Sequence, residues 1–269
     1  MTTATAPTPP PAAPAPLDRR RVLIAFSGLV LVMLLAALDS TIVSTALPTI
    51  VSELGGLERL AWVVTAYLLA QTIVTPIYGK LGDLYGRKRV LQSAVVIFLL
   101  GSVLCGMSGS MLQLIVFRAI QGIGGGGLNV TTQAIVGDIV PPRERGRYQG
   151  IFGAVFGLAS IAGPLIGGYF TTQLSWRWIF YVNLPVGLVA LIVLAAVLPA
   201  DLRRVRRAID YAGAALLAVV LSAVTLVADL GGVTLPWGSP TMVALVVVAL
   251  VALAGILLVE RRAAEPVLP

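Results

Sequence analysis

The fold the sequence predicts is all-α: a polytopic bundle of membrane-spanning helices. Three observations predict it. The 269 residues are 58% apolar and only 12% charged, with a mean hydropathy of +0.95, whereas a soluble domain runs at about 45–50% apolar and about 25% charged. Eight apolar runs approach the roughly 20 residues that a lipid-spanning helix needs. The third is a regular alternation of cations between those runs. With no histidine and one cysteine, Cys105, inside an apolar run, the chain has no disulfide framework and no Cys/His cluster to hold a metal. No cofactor is expected, and proton handling falls to carboxylates.

Residues 1–20 read as a disordered cytoplasmic tail, because MTTATAPTPPPAAPAPLD is rich in Pro, Ala and Thr and lacks core-forming periodicity. The run from Val22 to Pro48 follows Arg19, Arg20 and Arg21. It is far longer than a secretory core of about 7–15 residues, so it is an uncleaved first span. Further spans are expected over Leu60 to Tyr78, Val90 to Met107, Met111 to Thr132, Gly150 to Phe170, Ile179 to Leu198, Tyr211 to Ala228 and Thr241 to Val259. Short Gly/Ser/Pro loops make consecutive spans antiparallel neighbours. The domain reading is a six-span bundle over 21–198, then two extra spans with a short cytoplasmic end over 199–269.

Cations are retained in cytoplasmic loops. With the amino terminus inside, the inner segments hold Arg19 to Arg21, Lys80/Arg87/Lys88/Arg89, Arg143/Arg145/Arg147, Arg203/Arg204/Arg206/Arg207 and Arg261/Arg262, which is 16 of the 19 cations. The outer loops hold Arg59 and Arg177, and Arg118 falls within span four. The net charge of +7 therefore reports topology. These short clusters make no continuous basic surface for nucleic acid, and anionic lipid is the partner that the charge suggests. The expected location is the plasma membrane, multi-pass, with a cytoplasmic amino terminus. Arg outnumbers Lys by 17 to 2, which points to a GC-rich bacterium.

Between spans two and three lies Gly79-Lys80-Leu81-Gly82-Asp83-Leu84-Tyr85-Gly86-Arg87-Lys88-Arg89-Val90. Its glycines permit a tight turn, and Asp83 has several cations within reach. On charge alone it serves equally as a plain topogenic loop. The pattern closely resembles the cytoplasmic loop motif of the major facilitator superfamily, which implies a conformational latch built on Gly79, Asp83, Gly86 and Arg87. Arg118-Ala119-Ile120-Gln121-Gly122-Ile123-Gly124-Gly125-Gly126 is similar to that family's buried-arginine motif. Gly163-Pro164-Leu165-Ile166-Gly167-Gly168 resembles its antiporter signature, with Ala159 where a glycine is often found. Trp176-Arg177-Trp178-Ile179-Phe180, Asn183-Leu184-Pro185-Val186-Gly187, Leu38-Asp39-Ser40-Thr41-Ile42-Val43 and Ala46-Leu47-Pro48 resemble the fourteen-span drug:proton antiporter branch. The resemblance implies proton-coupled export of a small amphiphilic compound through a six-helix amino-terminal domain followed by two added helices.

Beside the resemblance stands the physics. A charge near the bilayer centre costs about 2.5–3.5 kcal/mol on insertion scales, and Asp39 and Arg118 are the two such residues. Asp39 lies roughly 13 Å from the outer end of its span and Arg118 roughly 12 Å from the same face, at 1.5 Å per residue. Their depths match, so they are the candidate proton-coupling pair; a static ion pair fixing helix register is the other use. In span five, Gly153/Gly157 and Gly163/Gly167 are expected to present backbone to neighbouring helices, and Pro164 to free one donor and kink the span. Tyr67 and Gln71 share one helical face, and with Gln121 and Asn129 they are candidate substrate-cavity linings, or interhelical hydrogen-bonding groups. The glycosylation sequon at Asn129 lies inside a span and is discarded. Asp229, ending span seven, is expected to be solvated.

The reading is a proton-coupled exporter working by alternating access. Two others stay open: a metabolite importer or facilitator of the same fold, and a non-transporting half-length scaffold or partner subunit. The resemblance implies six more helices, and residues 1–269 hold one cavity wall, so three readings stay open: a fragment of a longer chain, one of a split pair completed by a second transporter half, or a protomer of a homodimer. Residues 1–269 alone are expected to insert but not to transport.

Overall fold

The computed structural model describes residues 19–198, 211–232 and 234–260. The tail at 1–18, the segment Asp201 to Asp210 and Arg261/Arg262, on which the expected disorder and part of the cation alternation rest, lie outside the described residues. Nine α-helices are described: α1 (Arg19–Leu54), α2 (Leu60–Tyr85), α3 (Arg87–Gly106), α4 (Met111–Ile139), α5 (Arg145–Gln173), the short α6 (Trp178–Tyr181), α7 (Asn183–Val197), α8 (Tyr211–Leu230) and α9 (Pro240–Glu260). Six segments are long and apolar enough to cross a membrane, with α6 and α7 sharing the sixth, and α8 and α9 hold shorter apolar stretches among the described residues.

Every expected span is a helix, but the helices overrun the apolar runs. The first continues through Pro48 to Leu54, the fourth passes Thr132 to reach Ile139, and the fifth begins at Arg145. Hydropathy stops at the lipid boundary, while helical hydrogen bonding continues into the interface, and an internal proline removes only one donor. Within the sixth span the helical hydrogen-bond ladder is interrupted at Val182, which keeps right-handed helical dihedrals (φ −59, ψ −23). Pro185 explains the interruption, because its ring excludes the carbonyl of the residue four positions earlier, which is Tyr181.

Helix α4 is the centre of the bundle, packed between α2 and α3. Its run of glycines makes this possible. Gly122 lies against the Tyr67 carbonyl and Gly124 against the Phe98 amide. A Cβ added at Gly126 would sit 2.6 Å from the Gln71 carbonyl, and one at Gly127 2.5 Å from Ala94 Cβ. Helix α5 lies on α1, with Gly163 under Thr41 and Gly167 under Thr45; the Thr41 hydroxyl donates to the Ala159 carbonyl at 3.1 Å. The expected second pair behaves differently. An added Cβ at Gly153, Gly157 or Gly168 meets nothing within 4 Å among the described residues. The two pairs are ten positions apart, which at 3.6 residues per turn sets them about 80° apart on the helix. That second face of α5 is open.

Two apolar clusters fill the interior. One is built on Phe26, Leu29, Leu91, Phe98, Leu128 and Phe152, and the other on Ile42, Ile50, Leu114, Trp176 and Phe180. On α1 the change from one to the other falls between Ala36 and Ile42, where Asp39 sits. The pair α8–α9 leans on the rest of the chain through α2. Asp229 is not simply solvated: it is partly buried and accepts a hydrogen bond from the buried Thr65 hydroxyl of α2. The end of α8 lies against α2, so the carboxylate finds a donor there.

Candidate functional site

Asp39 and Arg118 meet. The carboxylate is 0% exposed and the guanidinium 2%, and Arg118 Nη1 lies 2.7 Å from Asp39 Oδ2. The equal depths expected from α1 and α4 running in opposite directions are thus realised as contact. Arg118 Nη1 also donates to Gln121 Oε1 at 2.7 Å, and its Nε donates to the Val63 carbonyl at 3.3 Å. Its Cζ stands 4.1 Å above the Tyr67 ring centroid, where the electron-rich face adds cation–π attraction.

The other carboxylate oxygen, Oδ1, accepts from Gln121 Nε2 at 2.7 Å and from Asn183 Nδ2 at 3.0 Å. Both amides also reach Ser102 Oγ, at 2.7 Å and 3.1 Å. Five helices therefore converge on this one carboxylate: α1 carries it, α4 supplies Arg118 and Gln121, α3 supplies Ser102, α7 supplies Asn183 and α2 supplies Tyr67 and the Val63 carbonyl. Asn183 is the first residue of α7 and reaches Asp39 from there. Sequence reasoning assigned no role to Ser102 or Asn183, although Asn183 lies within a quoted motif. Gln121 lies inside this network, hydrogen-bonded to Asp39 of α1 and Ser102 of α3. Tyr67 is buried beside it, while Gln71 and Asn129 are partly buried, outside it.

At the basic end, Arg87 Nη2 lies 3.1 Å from Asp83 and its Nη1 3.0 Å from Asp138, and the guanidinium donates to the Ala134 carbonyl. The turn between α2 and α3 is made by Gly86 with φ +92, a conformation that side chains rarely adopt. Gly79, expected in the same turn, is instead inside α2, because the helix continues through Asp83 to Tyr85 before the chain reverses. Asp138, the partner that sequence reasoning did not single out, belongs to the last turn of α4. At the opposite end Glu53 accepts from Arg177 Nη1 at 2.6 Å and from Trp176 Nε1 at 2.7 Å. This cluster was equally unforeseen, and it ties the end of α1 to the loop before α6. Among the described residues, no group of three His, Cys, Asp or Glu is placed to hold a metal.

The Major Facilitator Superfamily model matches residues 29–259. The chain belongs to this superfamily. Among its relatives, an MFS-type transporter of Mycobacterium tuberculosis is 49% identical over 246 residues, covering 91% of this chain and 36% of that protein. Multidrug resistance protein 3 of Bacillus subtilis is 44% identical over 241 residues, covering 90% of this chain and 47% of its own length. The solved structure of the major facilitator proton:xylose symporter XylE superposes with a TM-score of 0.61 at 14% identity, covering 91% of this chain and 56% of that one. That likeness concerns the fold. The chain spans about half the length, or less, of these curated relatives. Major facilitator membership makes it part of a transporter family and gives its six apolar helices a membrane setting.

Proposed function

We propose that these residues form the proton-coupling half of a drug:proton antiporter that exports small amphiphilic compounds. The observation that carries this reading is the buried Asp39–Arg118 pair. Two charges buried in the bundle are retained against a cost of several kcal/mol, and of the two only the carboxylate is a group that can bind and release a proton. The substrate class rests on relatives named multidrug resistance protein and multidrug transporter. The latch at Asp83 and Arg87, the antiporter-like Gly163-Pro164-Leu165-Ile166-Gly167-Gly168 and an amphiphile site reached from Tyr67, Gln71, Gln121 and Asn129 belong to the same reading. The open face of α5, with Leu158, Ile161 and Leu165 exposed, supports a second helical bundle packing there.

The test is Asp39→Asn in the transporter that contains these residues, assayed in vesicles with an imposed pH gradient and a fluorescent lipophilic cation. Gradient-driven export is abolished while membrane abundance is unchanged. Export at the unaltered rate would mean that the proton carrier is another group.

A further inference from the structure

The neutral groups around Asp39 are arranged as a closed ring. Gln121 Nε2 and Asn183 Nδ2 each reach two oxygens, Asp39 Oδ1 and Ser102 Oγ, at 2.7 to 3.1 Å. The amide orientations follow from chemistry. Gln121 Oε1 faces Arg118 Nη1 at 2.7 Å, and a guanidinium has no acceptor, so Nε2 must be the end that faces Asp39. Asn183 likewise presents its nitrogen, Nδ2, to Oδ1. All three side-chain partners of Asp39 are therefore donors, and donors to a carboxylate favour its charged form. The other titratable groups facing this site among the described residues are Arg118 from α4, Tyr67 from α2 and Cys105 from α3, whose Sγ lies 3.7 Å from Gln121 Oε1.

We infer that Asn183 and Ser102 are positioning residues for the Asp39 proton: Asn183 holds the ionised carboxylate with one amide hydrogen, and Ser102 aligns both amides by accepting the other. This rests on the reading of Asp39 as the proton carrier. Asn183 is the member of the ring that stands where a helical hydrogen-bond ladder is interrupted, between Tyr181 and Pro185, which has no N–H to give the Tyr181 carbonyl. A change of angle there withdraws a donor from Oδ1 without disturbing Arg118. Proton uptake at Asp39 then becomes easier, so the shape of the sixth span is expressed as proton affinity on the first.

The measurement is a pH titration of the 269-residue chain in lipid nanodiscs, followed by infrared difference spectroscopy of the carboxylic acid C=O band, with Asp39→Asn identifying the band of Asp39. Removing one hydrogen bond to a charged group moves the Asp39 midpoint upward by about one pH unit in Asn183→Ala. Ser102→Ala, which deletes a single oxygen and keeps the fold, moves it the same way by less. Asn183→Asp, which replaces a donor by a like charge, moves it further than Asn183→Ala. Unchanged midpoints in Asn183→Ala and Ser102→Ala, with the Asp39 band present, would overturn the positioning role and leave the carrier reading intact. If no band attributable to Asp39 titrates, the carrier reading fails and the inference falls with it.

Discussion

Arginine at position 118 does something lysine cannot. Its fork reaches Asp39 and Gln121 through Nη1 and the Val63 carbonyl through Nε, while its flat face covers Tyr67. An ammonium is a compact point charge without that geometry. Arg118→Ala leaves Asp39 as a buried charge without its counter-ion and is expected to cost about 3–5 kcal/mol. Arg118→Lys restores the charge but not the fork, and its thermal unfolding midpoint in detergent is expected between those of Arg118→Ala and the unaltered chain. A lysine midpoint equal to the unaltered one would reduce the role of Arg118 to charge. The two charged members of the site were legible in the sequence because an ion in an apolar run is costly and conspicuous, and because depth along two antiparallel spans can be counted. Ser102 and Asn183 were not. A small neutral polar residue costs too little in a span to stand out, and knowing what it faces requires the rotation of each helix about its axis, which hydropathy does not give.

Among the elements, α4 depends most on having no side chains at chosen positions. Gly122→Ala drives a Cβ into the Tyr67 carbonyl, a backbone atom that cannot swing away, and overpacking of this kind costs about 1–3 kcal/mol. Gly153→Ala adds a methyl to open space on α5 and gains up to about 1 kcal/mol of helix propensity. Thermal unfolding of the two variants of this chain is expected to separate them in sign. The same Gly153→Ala change lowers transport in a transporter that contains these residues if a second bundle covers that face, and equal transport there would remove the case for that packing. Helix existence was legible throughout, since each span is a run of apolar residues bounded by charge or glycine. Helix ends were not, because the last turns are held by tertiary contacts such as Glu53 with Arg177 and Trp176, which no local pattern encodes. The glycine pairs of α5 looked equivalent as sequence; only the neighbours present in space distinguish Gly163 and Gly167 from Gly153 and Gly157.

For the whole molecule, the alternation of cations predicts that the end bearing Lys80 and Arg87 is cytoplasmic and the end bearing Trp237 external. The native cysteine, Cys105, is buried, so labelling starts from a quiet background. A cysteine introduced at Trp237, 64% exposed, is expected to react with an impermeant reagent added to intact cells, and one at Tyr85, 61% exposed, only after the membrane is opened. The reverse pattern would invert the assignment. The pair α8–α9 meets the other described helices along α2, with Thr65 and Asp229 as its polar fastening and an apolar groove of about 310 Å³ between Ile73, Ala218, Ser222 and Leu245. No member of the ring around Asp39 comes from either helix. In evolutionary terms such a pair is an appendage: a gene can acquire or shed it while the buried ion pair keeps every one of its partners. Chains with and without it can therefore carry the same buried ion-pair site.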